Sequence, residues 1–295
     1  MSELTQLLSY SVFLHHNCEM SSPVLSFQAS CSAASRAEID KLINSNWPFQ
    51  VMPGGRSVLS SKQIDEFPTG ENPNVLIHST YIVRPFGDPE KLHVAKLCLT
   101  NYARLAKKIG STAVLVHMPA SPNELTRFGQ GIELIDECLT PYGCVLHLET
   151  EPLTKSMRDK LEMNEENAYE IYCNYTDRLF EVARDARLVV DTAHLFANGL
   201  SADDQISFIE RYKEQIDFIH LNGNSNNRFH SDKHTPMFSA NNKIANSDKL
   251  VRAIVALGKT CIAENSTEGS TRAKWIDYAD KLGFILPPNF KCFNY

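Results

Sequence analysis

Eight times along this sequence a short apolar run, most often ending in an ionisable residue, gives way to a helical stretch, and that recurrence limits the folds open to the chain. The runs are residues 11–16 (SVFLHH), 49–52 (FQVM), 75–78 (VLIH), 113–117 (AVLVH), 144–149 (CVLHLE), 188–191 (LVVD), 218–222 (FIHLN) and 261–264 (CIAE). They are brief and rich in β-branched residues, as strands buried on both faces are. The intervening stretches carry helix punctuation. Asp88-Pro89-Glu90 reads as an N-cap, a first-turn proline and a favourable acid, and Gly110 as a stop. Between them Leu92, Ala95, Leu99, Tyr102 and Ala106 recur at steps of three or four, as one buried face does. Residues 164–186, 201–216, 247–258 and 268–283 follow the same pattern.

Strand and helix alternating eight times over 295 residues predict a (β/α)8 TIM barrel, with residues 1–295 as one α/β domain. An open doubly wound sheet is the alternative. No Gly-x-Gly-x-x-Gly follows the first run, so a dinucleotide site is not indicated. Residues 222–245, dense in Asn, Ser and His, form the longest stretch without strand or helix signals, and a barrel places them on the catalytic face after the seventh strand. Residues 53–73 are a similar, more ambiguous case.

Six runs carry a metal-ligand residue at or near the C-terminal end: His78, His117, Glu149, Asp191, His220 and Glu264. In a barrel those ends converge on one mouth. Two local pairs join them, Asp191-x-x-His194 and Asp232-Lys-His234. A single histidine at a strand end is more often structural than a ligand, and an acid there often caps the next helix. Six in succession with two paired motifs weigh the other way. Imidazole with carboxylate and no cysteine is the donor set of a catalytic zinc site, and Mn²⁺ also suits its carboxylate-rich positions. His147 shares the inward face with Glu149 and reads as a core residue behind the ligands; His15 or His16 is equally a mouth or a core residue.

On these residues the chain resembles the endonuclease IV family of apurinic/apyrimidinic endonucleases, within the xylose-isomerase-like barrels, from about Ser11 to Gly283. His78-Ser-Thr-Tyr81 is similar to the family's His-x-x-Tyr, and Val116-His117 to its Phe-His-Pro-Gly position. Leu148-Glu149-Thr150 is similar to Ile-Glu-Asn-Thr, and Val190-Asp191-Thr-Ala-His194 to Cys-x-Asp-Thr-x-His. His220-Leu-Asn222, Asp232-Lys-His234 and Ala263-Glu264 match His-Leu-Asn, Asp-Arg-His and Leu-Glu.

The resemblance implies three Zn²⁺ ions per chain. His78 and His117 share one with the bridging Glu149; Glu149, Asp191, His220 and Glu264 hold the second; His194, Asp232 and His234 hold the third. It further implies a role in DNA base excision repair: hydrolysis of the phosphodiester 5′ to an abasic site in double-stranded DNA, leaving a 3′-hydroxyl and a 5′-deoxyribose phosphate. Glu149 and Glu264 are the catalytic carboxylates, and Tyr81 and Arg56 fill the gap left by the extruded sugar. The chain departs from the family at the rim, where Met118-Pro119-Ala120 replaces Pro-Gly, Gly223 replaces an acid and residues 235–242 lack Gly-Glu-Gly. Those positions bear on DNA grip more than on metal binding.

The formal net charge of −6 lacks the basic footprint usual for a nucleic-acid partner, but three Zn²⁺ ions supply six positive charges where a phosphate must sit. Two alternatives stay open. A metal-dependent sugar isomerase or epimerase on the same barrel needs Glu149, Asp191, His220 and Glu264 alone, and a non-cutting barrel that binds damaged DNA has no need of a complete ligand set. The eight scattered cysteines lack a Cys-x-x-Cys pair and read as buried free thiols. With no basic leader and no apolar run near 20 residues, an intracellular, soluble monomer that does not engage a membrane is expected.

Overall fold

Because the strand-forming runs are apolar on both faces, each strand must be covered on both sides, and a barrel sheathed in helices does this. The computed structural model describes residues 23–29, 36–53, 58–80, 82–264 and 270–287. Its strands are β1 (Leu25–Ala29), β2 (Phe49–Val51), β3 (Val75–His78), β4 (Ala113–His117), β5 (Val145–Glu149), β6 (Arg187–Asp191), β7 (Ile216–His220), β8 (Gly223–Asn224), β9 (His234–Thr235) and β10 (Thr260–Ala263). The helices are α1 (Arg36–Asn44), α2 (Ser61–Glu66), α3 (Leu92–Ile109), α4 (Pro122–Thr126), α5 (Phe128–Leu139), α6 (Lys155–Lys160), α7 (Ala168–Val182), α8 (Thr192–Ala197), α9 (Ala202–Arg211), α10 (Ser247–Ala256) and α11 (Ser270–Leu282).

Eight parallel strands close in the order β1-β10-β7-β6-β5-β4-β3-β2, so the fold is a (β/α)8 TIM barrel and not an open sheet. Seven of the expected strands are present. The first is a correction: the run 11–16, with His15 and His16, lies outside the described residues, and the barrel's first position is held by Leu25–Ala29, which pairs with both β2 and β10. Residues 222–245 also differ from a plain loop, because β8 and β9 pair antiparallel and set Asn224 opposite His234.

The two-residue strand period sorts the barrel into layers. Leu76, Ala113, Leu115, Val189, Phe218 and Ile262 form an apolar cluster inside it, while neighbours such as Val75, Ile77, Val114, Val116, Leu188 and Val190 pack outward into the helical shell. Two positions beyond Leu76, Leu115, Val189, Phe218 and Ile262 come His78, His117, Asp191, His220 and Glu264. A dry plug therefore sits directly beneath a polar mouth. In β7 the register skips a residue: Leu188 pairs with Ile216, but Val189 pairs with Phe218, leaving Asp217 as a bulge. Asp217 bonds the inward-facing His147 (Oδ2 to Nε2, 3.0 Å) and Arg187 (Oδ1 to Nη2, 2.7 Å), which makes His147 a satisfied interior residue as expected.

Helix α3 starts and stops as the sequence indicates: Asp88 caps the 3-10 turn before it, and Gly110 ends it in the left-handed region at φ 79°. The seam between β1 and β10 is backed by Trp275 of α11, fully buried and edge-on to Phe27 at 5.8 Å. The described cysteines are free: Cys98, Cys138, Cys173 and Cys261 are buried and Cys144 partly so. No described helix is long and apolar enough to cross a membrane. A Cβ on Gly110 would lie 2.4 Å from the Glu71 Cα, besides straining the backbone. Gly110→Ala should therefore destabilise the fold by about 2 kcal/mol, read as a lower denaturation midpoint at unchanged slope.

Candidate metal centre

The centre is built on the Glu149 carboxylate at the end of β5, which is wholly buried. Isolated, such a charge costs several kcal/mol, so it persists only with cations or proton donors around it. Imidazoles from neighbouring strands provide them. His117 of β4 approaches Glu149 Oε2 to 3.0 Å and His78 of β3 approaches the same oxygen to 3.3 Å, while His220 Nδ1 of β7 lies 2.7 Å from Oε1. Asp191 divides its carboxylate: Oδ1 caps α8 by accepting from the Ala193 and His194 amides at 2.7 and 3.0 Å, which leaves Oδ2 facing the mouth. The start of α8 at a strand end thus delivers His194 beside Asp191, as the Asp-x-x-His spacing indicated.

The β8–β9 ribbon brings in the last pair. His234 Nε2 is 2.9 Å from Asp232 Oδ2 and 3.5 Å from Asp191 Oδ2, and His194 Nε2 is 3.6 Å from Asp232 Oδ2. Glu264, just past β10, is nearly buried, with Oε2 3.6 Å from His220 Nδ1 and 3.6 Å from His234 Nδ1. All nine expected ligand positions therefore converge. Three groupings have donor atoms close enough together to hold an ion: His78 with Glu149 and His220; Glu149, Asp191, His220 and Glu264; and Asp191, His194 and His234. The grouping differs from the one the sequence implied: His117 and Asp232 belong to none of the three sets, and other ligands are shared. His220 belongs to two sets, and Asp191 reaches into the third. Tyr81 and Arg56 lie outside the described residues.

The donors fit a cation better than they fit one another. Glu149 Oε2 and His234 Nε2 are buried without an aligned hydrogen bond, despite neighbours at about 3 Å. Backbone carbonyls take the far nitrogens of two rings, Ser79 O at 2.7 Å from His78 Nδ1 and Thr150 O at 2.6 Å from His194 Nδ1. Each Nε2 is thereby left with its lone pair toward the cluster, the usual arrangement of ligating histidines.

Sequence reading overlooked the neutral groups that aim the acids. Gln50, buried in β2, donates to Glu264 Oε1 at 2.6 Å. Asn222 donates to Asp191 Oδ2 at 2.7 Å and Glu264 Oε2 at 2.9 Å, and Asn224 donates to Asp232 Oδ1 at 3.2 Å. The available signal was an amide inside an apolar strand, which must find partners there. Glu151 was overlooked too: its carboxylate lies 3.7 Å from His117 Nε2, with its pKa raised by burial. It lines a cleft of 560 Å³ beside the cluster, together with His117, Arg158, His194, Phe229 and Asp232.

No family model matches the sequence, and no curated protein matches it. Solved structures do match in fold. Endonuclease IV from Thermus thermophilus aligns with a TM-score of 0.62 at 17% identity, covering 88% of this chain and 98% of that one. The ASFV AP endonuclease aligns at 0.56 and 15% identity, covering 88% and 97%. A D-tagatose 3-epimerase-like protein aligns at 0.59 and 17% identity, covering 87% and 96%. These likenesses are of fold, and the barrel is common to endonucleases and epimerases alike.

Burial disfavours charge on both partners, yet their mutual attraction prevails. The nearby carboxylates push His117 and His220 up to about 9, and the same imidazoles hold Glu149 well below the usual carboxylate range. Folded values above the unfolded 6.5 stabilise the fold fully below pH 6.5, and that contribution is lost as pH rises through about 9. Without divalent cation, the thermal midpoint should thus fall by roughly 5 °C between pH 6.5 and 10, and Glu149→Gln should flatten that slope.

Proposed function

We propose that this protein is a Zn²⁺-dependent AP endonuclease of the endonuclease IV family that hydrolyses the phosphodiester 5′ to an abasic site in DNA. One observation carries the reading. The four-ligand set Glu149, Asp191, His220 and Glu264 is flanked by further donors, His78 and His117 on Glu149 Oε2 and His194, Asp232 and His234 beside Asp191. A centre for one ion has no use for those flanks, whereas a trinuclear centre uses them all.

When bound, Zn²⁺ supplies positive charge for the phosphate and acidity for water at neutral pH. The chain's own residues do the rest. Glu149 faces two donor sets at once and holds them in fixed relation. Glu264, steadied by Gln50 and Asn222, orients the attacking water and takes up its proton. The water oxygen bonds to phosphorus as the bond from phosphorus to the 3′ oxygen breaks, and that oxygen takes a proton from solvent water to become the 3′-hydroxyl. The cleft lined by Glu151, Arg158 and Phe229 adjoins the cluster and provides room for the strand. An abasic sugar enters without the loss of a base pair, which favours the lesion over intact DNA.

The fold likeness to an epimerase-like protein supports a second reading, a sugar isomerase or epimerase using the four-ligand set alone. Metal content separates the two, near three ions per chain for the nuclease and near one for the isomerase.

A duplex bearing one tetrahydrofuran abasic analogue should be cut once, 5′ to the analogue, by protein loaded with Zn²⁺. Cutting should vanish after chelator stripping and return on adding Zn²⁺. Glu149→Gln should lower the rate by about 100-fold or more and reduce bound zinc. Absence of cutting by folded, fully metallated protein would refute the nuclease reading.

A further inference from the structure

A ligating imidazole must turn one nitrogen to the cation and satisfy the other elsewhere. His78 and His194 do this with backbone carbonyls. His220 does it with a side chain: its Nε2 lies 2.7 Å from Gln50 Oε1. The chemistry of the next partner settles which end of that amide faces the ring. Gln50 Nε2 donates both to Glu264 Oε1 at 2.6 Å and to Gln28 Oε1 at 3.1 Å, so the amide nitrogen faces those two oxygens. The amide oxygen therefore faces His220, and since that oxygen only accepts, the ring must keep its proton on Nε2. Nδ1 is then the nitrogen free for a cation, and it is the one that lies 2.7 Å from Glu149 Oε1 and 3.6 Å from Glu264 Oε2.

We infer that Gln50 is a positioning residue that dictates which nitrogen of His220 meets the metal centre and, through the same carboxamide, aims Glu264 at it. This rests on the metal-binding part of the proposed function and not on the nature of the substrate. The carboxamide suits the task because it is neutral. A lysine there would cancel the negative field that attracts cations, and an acid would leave Glu264 with a repelling neighbour. Gln50 is fully buried, and its nitrogen makes a second bond to Gln28 Oε1 at 3.1 Å, so the amide is held at both ends. Its place on β2 also explains how a strand that supplies none of the nine ligands still shapes the centre.

The test compares wild type with Gln50→Leu and Gln50→Glu. Zn²⁺ affinity is read by chelator competition, and the His220 proton by ¹⁵N spectra of the imidazoles, with and without Zn²⁺. Gln50→Leu should lose the Nε2–H preference of His220 and weaken binding of one ion by about 10- to 100-fold. Gln50→Glu keeps an acceptor for His220 but loses the donor to Glu264, so it should retain Nε2–H while still binding Zn²⁺ more weakly. That split is one a merely structural role would not produce. A folded Gln50→Leu protein with wild-type affinity and an unchanged ring proton overturns the inference. If that variant does not fold, undiminished Zn²⁺ binding by Gln50→Glu overturns it instead. Wild type that takes up no Zn²⁺ sinks the metal-centre reading, and spectra of the metal-free proteins taken above about pH 9, where His220 is neutral, then still decide whether Gln50 sets the tautomer.

Discussion

A carboxylate drawn wholly out of water is the constraint from which the mouth of this barrel is built. Glu149 can stay ionised there only because imidazoles from β3, β4 and β7 surround it, and His117 and His220 hold their protons strongly because carboxylates such as Glu149 are there. Neither side is stable in that environment alone. The apolar plug beneath keeps water from relieving the tension from below, and the helices seal the sides. The cluster is therefore an arrangement of charge that only protons or cations from the open end can balance.

What surrounds the charges is as telling as the charges themselves. The acids are steadied by carboxamides and the rings by carbonyls, all of them neutral. Neutral donors fix direction without diminishing the field, so the centre keeps its appetite for cations while losing its freedom of geometry. The same barrel serves endonucleases and epimerases, and the framework of strands does not distinguish them. Chemistry on such a scaffold depends on the groups that flank the shared ligands.

Much of this could be read in advance because strand ends in a barrel have one destination. An ionisable residue closing an apolar run is conspicuous, and it sufficed to pick out His78, His117, Glu149, Asp191, His220 and Glu264. The same rule failed for β1. The segment Leu25–Ala29 is a modest strand ending in alanine, and the run 11–16, closing on two histidines, fits the pattern better than the true first strand does. Gln50 escaped notice because an amide in a three-residue strand signals only that it needs partners, and not which groups they are. Nor could the sharing of His220 and Asp191 between donor sets be foreseen, since it depends on how far each strand is staggered against the next.

The bulge at Asp217 links the floor of the barrel to its mouth. Counting inward and outward positions from Ile216 without it would turn Ile219 to the interior and His220 to the helices. The skipped residue resets the count, and its carboxylate fastens the reset to His147 and Arg187. A one-residue slip reverses every side chain of a strand. His220 thus faces its partners by virtue of a spacer three residues below it, and the identity of a histidine matters there only as long as the phase of its strand is kept.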